Sequence, residues 1–133
     1  MTGYVHGYGT PEQERLVAQA EHWRLRLIRD GTDLEPGTRL LEVGCGVGAV
    51  LAVLGQEFPG VRLTGVDIEA KQLEFARGHL ERSGVEATLV QSDALALPFE
   101  DESFDHVWMM WFLEHIADPP AVLREARRVL VPG

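Results

Sequence analysis

Short apolar runs bounded by turn residues alternate along this chain with stretches in which apolar residues recur at helical spacing. The runs read as strands: RLLEVG at 39–44, VRLTGVD at 61–67, ATLVQ at 87–91 and FDHVWMMW at 104–111. The periodic stretches read as helices. Thr10-Pro11-Glu12-Gln13 carries the signature of a helix start, with Thr10 as cap, Pro11 at the first helical position and Gln13 closing a capping box. From there Leu16, Ala20, Trp23 and Leu27, joined by Val17 and Ile28, predict one amphipathic helix as far as Asp30-Gly31. Pro36-Gly37 ends the linker that follows. Further helices are expected over GAVLAVLGQEF, over Glu69–Ser83 with Ala70, Leu73, Ala76 and Leu80 on one face, and after Asp118-Pro119-Pro120 with Leu123, Ala126, Val129 and Leu130 inward. Gly84 is placed to cap the second of these in a left-handed conformation. Such alternation predicts an α/β fold, a doubly wound parallel sheet covered by helices on both faces, with ligands at the carboxyl ends of the strands.

Composition changes this picture little. The 133 residues, 45% of them hydrophobic, suit one domain with a real core. Twelve Lys and Arg against 21 Asp and Glu leave a net charge of −9, which opposes a nucleic-acid partner. The densest basic group, Arg124, Arg127 and Arg128 in REARR, reads as a solvated helix face. Cys45 is the single cysteine, so no internal disulfide is expected, and with no charged-then-apolar leader or long apolar span the expected setting is the cytoplasm, away from membranes. The five histidines lack the spacing of a metal site, and no metal is expected.

Candidate chemistry centres on LLEVGCGVGAV at 40–50. A strand that stops in a glycine turn and restarts as a helix leaves backbone N–H groups free at the helix start. Gly44, Gly46 and Ala49 fit the dinucleotide pattern, while Gly44, Gly46 and Gly48 fit an alternate-glycine pattern, so the loop alone does not separate a nicotinamide cofactor from another adenosine ligand. Asp67 ends the second strand 23 residues after Gly44, where a carboxylate can accept from both ribose hydroxyls in either case. Two features favour S-adenosylmethionine. Glu42, just before the turn, would face a pyrophosphate badly but suits a sulfonium or ammonium. Ser92-Asp93-Ala94 forms an acidic turn able to accept from an adenine amino group, followed by Leu97-Pro98-Phe99 as an apolar lining for the ring's edge. Asp105 is a third carboxylate, at the head of the fourth strand.

Over residues 38 to 133 the chain resembles the class I S-adenosylmethionine-dependent methyltransferases, in particular the small-molecule branch that includes ubiquinone- and menaquinone-biosynthesis enzymes. LLEVGCGVG, GVDIE, QSDALALPFEDESFDHVW, FLEHIADP and REARRVLVPG carry the resemblance in order. It implies a Rossmann-like sheet with strand order 3-2-1-4 here, ending before the C-terminal strands of the fold, and a methyl transfer to an O, N or C atom of a small molecule. It further implies Glu42, Gly44, Cys45, Gly46 and Gly48 around the methionine part of the cofactor, Asp67 on the ribose with Ile68 against adenine, and Asp93 with Ala94 at the adenine edge. Met109, Met110 and Trp111 would border the transferable methyl, with Met110 counted among the cofactor contacts and Trp111 facing the acceptor. His115 is the candidate base, since it follows the fourth strand and histidine is the side chain suited to proton transfer in the physiological range. Residues 1–37 are expected to form a lid segment and helix, with Tyr4 and Tyr8 of the lid reaching cofactor or acceptor. Two other readings stay open: a nicotinamide-dependent oxidoreductase, and a non-catalytic cofactor-binding fragment. With the fourth strand expected as an apolar edge, two copies are expected to associate through it.

Overall fold

The computed structural model describes residues 10–30, 32–110 and 112–133. At its centre lies a parallel sheet of β1 (Arg39–Val43), β2 (Arg62–Asp67), β3 (Ala87–Gln91) and β4 (His106–Trp108) in the order β3-β2-β1-β4. The inner strand β1 pairs Glu42 with Gly65 of β2 on one side and with Trp108 of β4 on the other. Leu40, Leu41, Glu42 and Val43 are all buried, the continuous pattern of a strand covered on both faces. Helices α1 (Pro11–His22), α2 (Ala49–Glu57) and α3 (Ala70–Arg82) cover one face, where Leu40 packs with Ala20, Leu51, Leu54 and Leu73. Helix α4 (Pro119–Val129) covers the other, bringing Val122 and Val129 onto Leu41, Val43 and Val66. Helix α2 is apolar nearly all round and correspondingly buried from Ala49 to Leu54. The strand order reverses direction between β2 and β4 around β1, which opens a crevice at the carboxyl end of β1.

Three expectations need correction. The single helix expected up to Asp30 is divided: α1 begins with the expected Thr10–Gln13 capping box but ends at His22, and Arg24–Arg29 form a π-helical turn. The wider turn, in which Ile28 N–H donates to Trp23 O at 3.3 Å, changes the phase of the apolar stripe. Ile28 is thereby fully buried, Trp23 stays 37% exposed, and Arg24 reaches Glu57 of α2 at 2.6 Å. The fourth strand is three residues long instead of spanning Phe104 to Trp111. Its lower end lies between two neighbours: Asp105 N–H donates to Arg39 O at 2.9 Å, while Phe104 N–H donates to Val129 O at 2.9 Å and forms a parallel bridge with Leu130. The edge just ahead of β4 is therefore already occupied, at Phe104. Finally, Arg128 is not part of a solvated face. Its guanidinium binds Glu125 and Asp101 and two loop carbonyls.

Candidate functional site

The loop from Gly44 to Gly48 turns the chain from β1 into α2 through three positive φ angles, 75° at Gly44, 52° at Gly46 and 78° at Gly48. The end of β2 holds it. The N–H groups of Gly44 and Cys45 both donate to Val66 O at 2.9 Å, and the Gly46 N–H donates to Asp67 Oδ2 at 2.9 Å. Asp67 Oδ1 accepts from the Glu69 N–H at 2.9 Å, so one carboxylate fixes both the glycine loop and the start of α3. Each oxygen keeps further acceptor capacity. Gly48 starts α2 with no side-chain cap, leaving the first N–H groups of that buried helix without a side-chain partner. Gly44 is required for a second reason besides its φ: a Cβ there would come within 2.2 Å of the Phe112 ring, which lies directly on the glycine.

Beside this loop lies a cleft of about 120 Å³ lined by Val43, Gly44, Val66, Asp67, Ile68, Ser92, Asp93, Ala94, Phe112 and Ile116. Of the residues singled out in the sequence, Gly44, Asp67, Ile68, Asp93 and Ala94 converge here. Ile68 is 60% exposed at the rim, an apolar side chain held in the open beside two carboxylates. Asp93 forms a turn in which its Oδ1 accepts from the Leu95 N–H at 2.9 Å, and the Ser92 N–H donates to Asp67 O at 3.0 Å, prolonging the β2–β3 ladder into the cleft wall.

The remaining candidates lie elsewhere. Glu42 is 2% exposed on β1, and its Oε1 has no hydrogen-bond partner among the described residues. Burial, with Asp67 close by, holds this carboxyl well above the ordinary carboxylate range. A buried acceptor without a donor is costly unless a ligand supplies one, and a cation is the natural complement. Cys45 is buried with its Sγ toward Gly65, where a Cβ would approach it to 2.7 Å. Burial and the carboxyls of Glu42 and Asp67 push its thiol up, so it is held as a protonated packing group rather than a nucleophile. Gly46 and Gly48 contribute backbone to the loop. Met110 packs into the cluster on the α1–α3 side of the sheet and does not line the cleft. His115 is exposed on a 3-10 turn, Leu113–His115, whose flanking residues Phe112 and Ile116 do line it. Tyr4, Tyr8 and Trp111 lie outside the described residues.

Sequence reasoning missed Phe112 and Ile116, which close the cleft opposite β2. Their spacing of four within FLEHI was a usable signal, overshadowed by the histidine between them. Leu97 and Phe99 were expected to line the ligand ring and do not: Leu97 is buried in the core and Phe99 stands edge-on to Phe104 with ring centroids 5.0 Å apart. Asp105 is structural, at the opposite end of the strands. Its carboxylate accepts from the backbone and guanidinium of Arg39, which holds it below its ordinary range.

A profile of the family described as "Methyltransferase domain" matches residues 41–133. The chain is 34% identical over 119 residues to methyltransferase GfsG of Streptomyces halstedii, covering 88% of this chain and 42% of that protein. It is 37% identical over 130 residues to the 27-O-demethylrifamycin SV methyltransferase of Amycolatopsis mediterranei, covering 96% and 47%. Among solved structures it is similar to phosphoethanolamine N-methyltransferase 2 of Haemonchus contortus in complex with S-adenosyl-L-methionine, with a TM-score of 0.75 and 27% identity over 84% of this chain and 26% of that one. The chain thus spans less than half the length of these relatives.

Proposed function

The chain belongs to the methyltransferase domain family, and on that premise we propose that the protein moves a methyl group from S-adenosylmethionine to an oxygen, nitrogen or carbon atom of a small molecule. The observation that supports this most is the convergence of Asp67, Asp93 and the Gly44 turn on one cleft at the carboxyl ends of β1, β2 and β3. Bound there, the cofactor would supply an electrophilic methyl on a sulfonium, already joined to a good leaving group. The chain's own task is then to hold, orient and exclude water.

In this reading Asp67 accepts from the ribose hydroxyls with the lone pairs left by Gly46 and Glu69, and Ile68 covers one face of the adenine. Asp93 accepts from its exocyclic amino group while Ala94 closes the edge. Glu42 and the free N–H groups at the start of α2 attend the charged methionine end. The orphaned Glu42 Oε1 fits an ammonium or sulfonium and would oppose a pyrophosphate, which supports this cofactor over a nicotinamide dinucleotide. The cleft is narrow against the roughly 300–1,000 Å³ of an ordinary ligand site. It suits the base, and Phe112 is the wall that a larger ligand would displace. His115, exposed one turn from that wall, takes a proton from the acceptor where one must be removed. A lid role is proposed for the segment that carries Tyr4 and Tyr8, and an acceptor contact for Trp111; α1 itself is part of the core. Among the described residues no helix is long and apolar enough to cross a membrane. The cytoplasm is the proposed setting.

Replacing Asp67 tests the ribose assignment. Asp67→Ala is expected to weaken S-adenosylhomocysteine by roughly 10- to 150-fold, the worth of a charged hydrogen-bond acceptor. Calorimetry giving an unchanged affinity in the folded variant would overturn the role. Two copies are further proposed to pair along the free part of the β4 edge, His106–Trp108. Sedimentation at micromolar concentration should return a mass above 14.8 kDa, and a monomer of that mass contradicts the pairing.

A further inference from the structure

The segment between β3 and β4, residues 92 to 105, contains no helix or strand, yet its first residues form a wall of the cleft. Its far end is tied by backbone bonds, Glu102 N–H to Arg128 O, Phe104 N–H to Val129 O and Asp105 N–H to Arg39 O, while its middle, Leu97 to Asp101, is held by polar contacts to the Glu125–Arg128 pair on α4. Arg128 uses all five of its N–H donors: Nε and one terminal nitrogen bind the Glu125 carboxylate at 3.0 and 2.8 Å, the same terminal nitrogen reaches Leu97 O at 3.0 Å, and the other reaches Phe99 O at 2.9 Å and Asp101 Oδ1 at 2.8 Å. Glu125 Oε1 in turn accepts from the Leu97 N–H at 2.9 Å. Leu97 is thus gripped at both its backbone groups, while Phe99 and Asp101, each two residues further on, are caught by the same planar fork. Only residues 93 to 96 hang between this grip and the Ser92–Asp67 bond that ends the β3 ladder. Within that span the Ala96 N–H donates to Asp93 O at 3.1 Å, so the turn that presents Asp93 closes one residue before the gripped Leu97.

We infer that the Glu125–Arg128 pair is a positioning unit that fixes the Asp93–Ala94 wall of the cleft and thereby sets selectivity for the edge of the bound base. The inference rests on the adenosine reading of the cleft given above. Neither side chain lines the cleft, so both act through the loop. A lysine at 128 keeps the charge but offers three donors from one atom, too few and wrongly disposed for five acceptor contacts. Arg127, one residue away, makes no ion pair among the described residues and serves as the matched control.

The test is a ratio. Binding of S-adenosylhomocysteine is compared with that of its inosine analogue, which replaces the amino group Asp93 would bind by an oxygen that repels it. The unsubstituted protein should prefer the adenine form by about 10-fold or more, as expected for one hydrogen bond to a charged group. Arg128→Met, Arg128→Lys and, more mildly, Glu125→Gln should bring that preference below about 3-fold in protein that remains folded by circular dichroism, whereas Arg127→Met leaves it unchanged. Asp93→Ala should abolish the preference in the parent and change it no further in the Arg128→Met background, the non-additivity of residues acting as one unit. A merely structural role would lower thermal stability and weaken both ligands equally. Should Arg128→Met not fold, Arg128→Lys and Glu125→Gln decide on the same ratio. An unchanged ratio in folded variants overturns the inference alone; absence of binding of either ligand to the unsubstituted protein overturns the adenosine reading and the inference together.

Discussion

Glu42→Gln is expected to act with opposite signs on stability and on binding. Glu42 is buried in the middle of the sheet, with one carboxyl oxygen lacking a donor, and burial beside Asp67 raises its affinity for a proton in the folded state. Because the folded chain holds that proton more tightly than the unfolded chain, stability must fall as pH rises above the ordinary carboxyl value of 4.5 toward the raised one. Glutamine removes this slope, so the free variant should melt a few degrees higher than the parent at neutral pH and depend less on pH. The same substitution should weaken S-adenosylmethionine by about 10-fold or more, since the charge opposite a cation is lost. In the parent, binding should also release a proton at any pH where the raised carboxyl is still protonated, as the cation brings it back to its charged form. Calorimetry in two buffers of different ionisation enthalpy reads that release. A variant that binds as tightly as the parent, or melts lower, contradicts the role given to Glu42.

Gly44→Ala should be the most damaging change in the loop. The backbone there has φ of 75°, which alone costs an alanine about 1–2 kcal/mol. The added methyl would also lie within 2.2 Å of the Phe112 ring and drive it out of its place in the cleft wall. Together these should cost roughly 2–4 kcal/mol and remove ligand binding. Gly46→Ala is the informative comparison, because its φ of 52° is similar but nothing lies within 4 Å of the new methyl. It should cost only the backbone part, about 1–2 kcal/mol. Adding Phe112→Ala should recover stability in the Gly44→Ala protein and none in the Gly46→Ala protein. Equal costs for the two glycine substitutions in urea melts would mean that the Phe112 contact contributes nothing.

The strands and the site's location were legible in the sequence for related reasons, while the sheet order came from the resemblance to the methyltransferases. Burial on both faces of β1 writes itself as an apolar run broken only by Glu42, and the glycines after Val43 announce the turn. The capping box at Thr10 and the left-handed Gly84 are likewise local patterns with a local cause. What escaped depends on contacts distant in sequence. Nothing near Trp23 announces a π-helical turn, which follows from Ile28 entering the core and Arg24 meeting Glu57 of another helix. The apolar composition of residues 104 to 111 promised a long strand, but Phe104 is shared with Leu130, and the chain leaves the sheet after Trp108. Likewise REARR looked like a surface charge pattern until α4 met the loop, whose carbonyls sequence cannot pair. The Asp67 carboxylate, expected on the ribose hydroxyls, also pins the Gly46 and Glu69 amides, so its loss disturbs the loop as well as any hydroxyl contact.

The central claim, an adenosine-type methyl-donor site at the carboxyl end of β1, is tested most directly by thermal-shift titration of the unsubstituted 133-residue chain with S-adenosylhomocysteine and, in parallel, with NADH. The account predicts a saturable rise in melting temperature with S-adenosylhomocysteine and none with NADH; stabilisation by NADH alone, or by neither ligand, would contradict it.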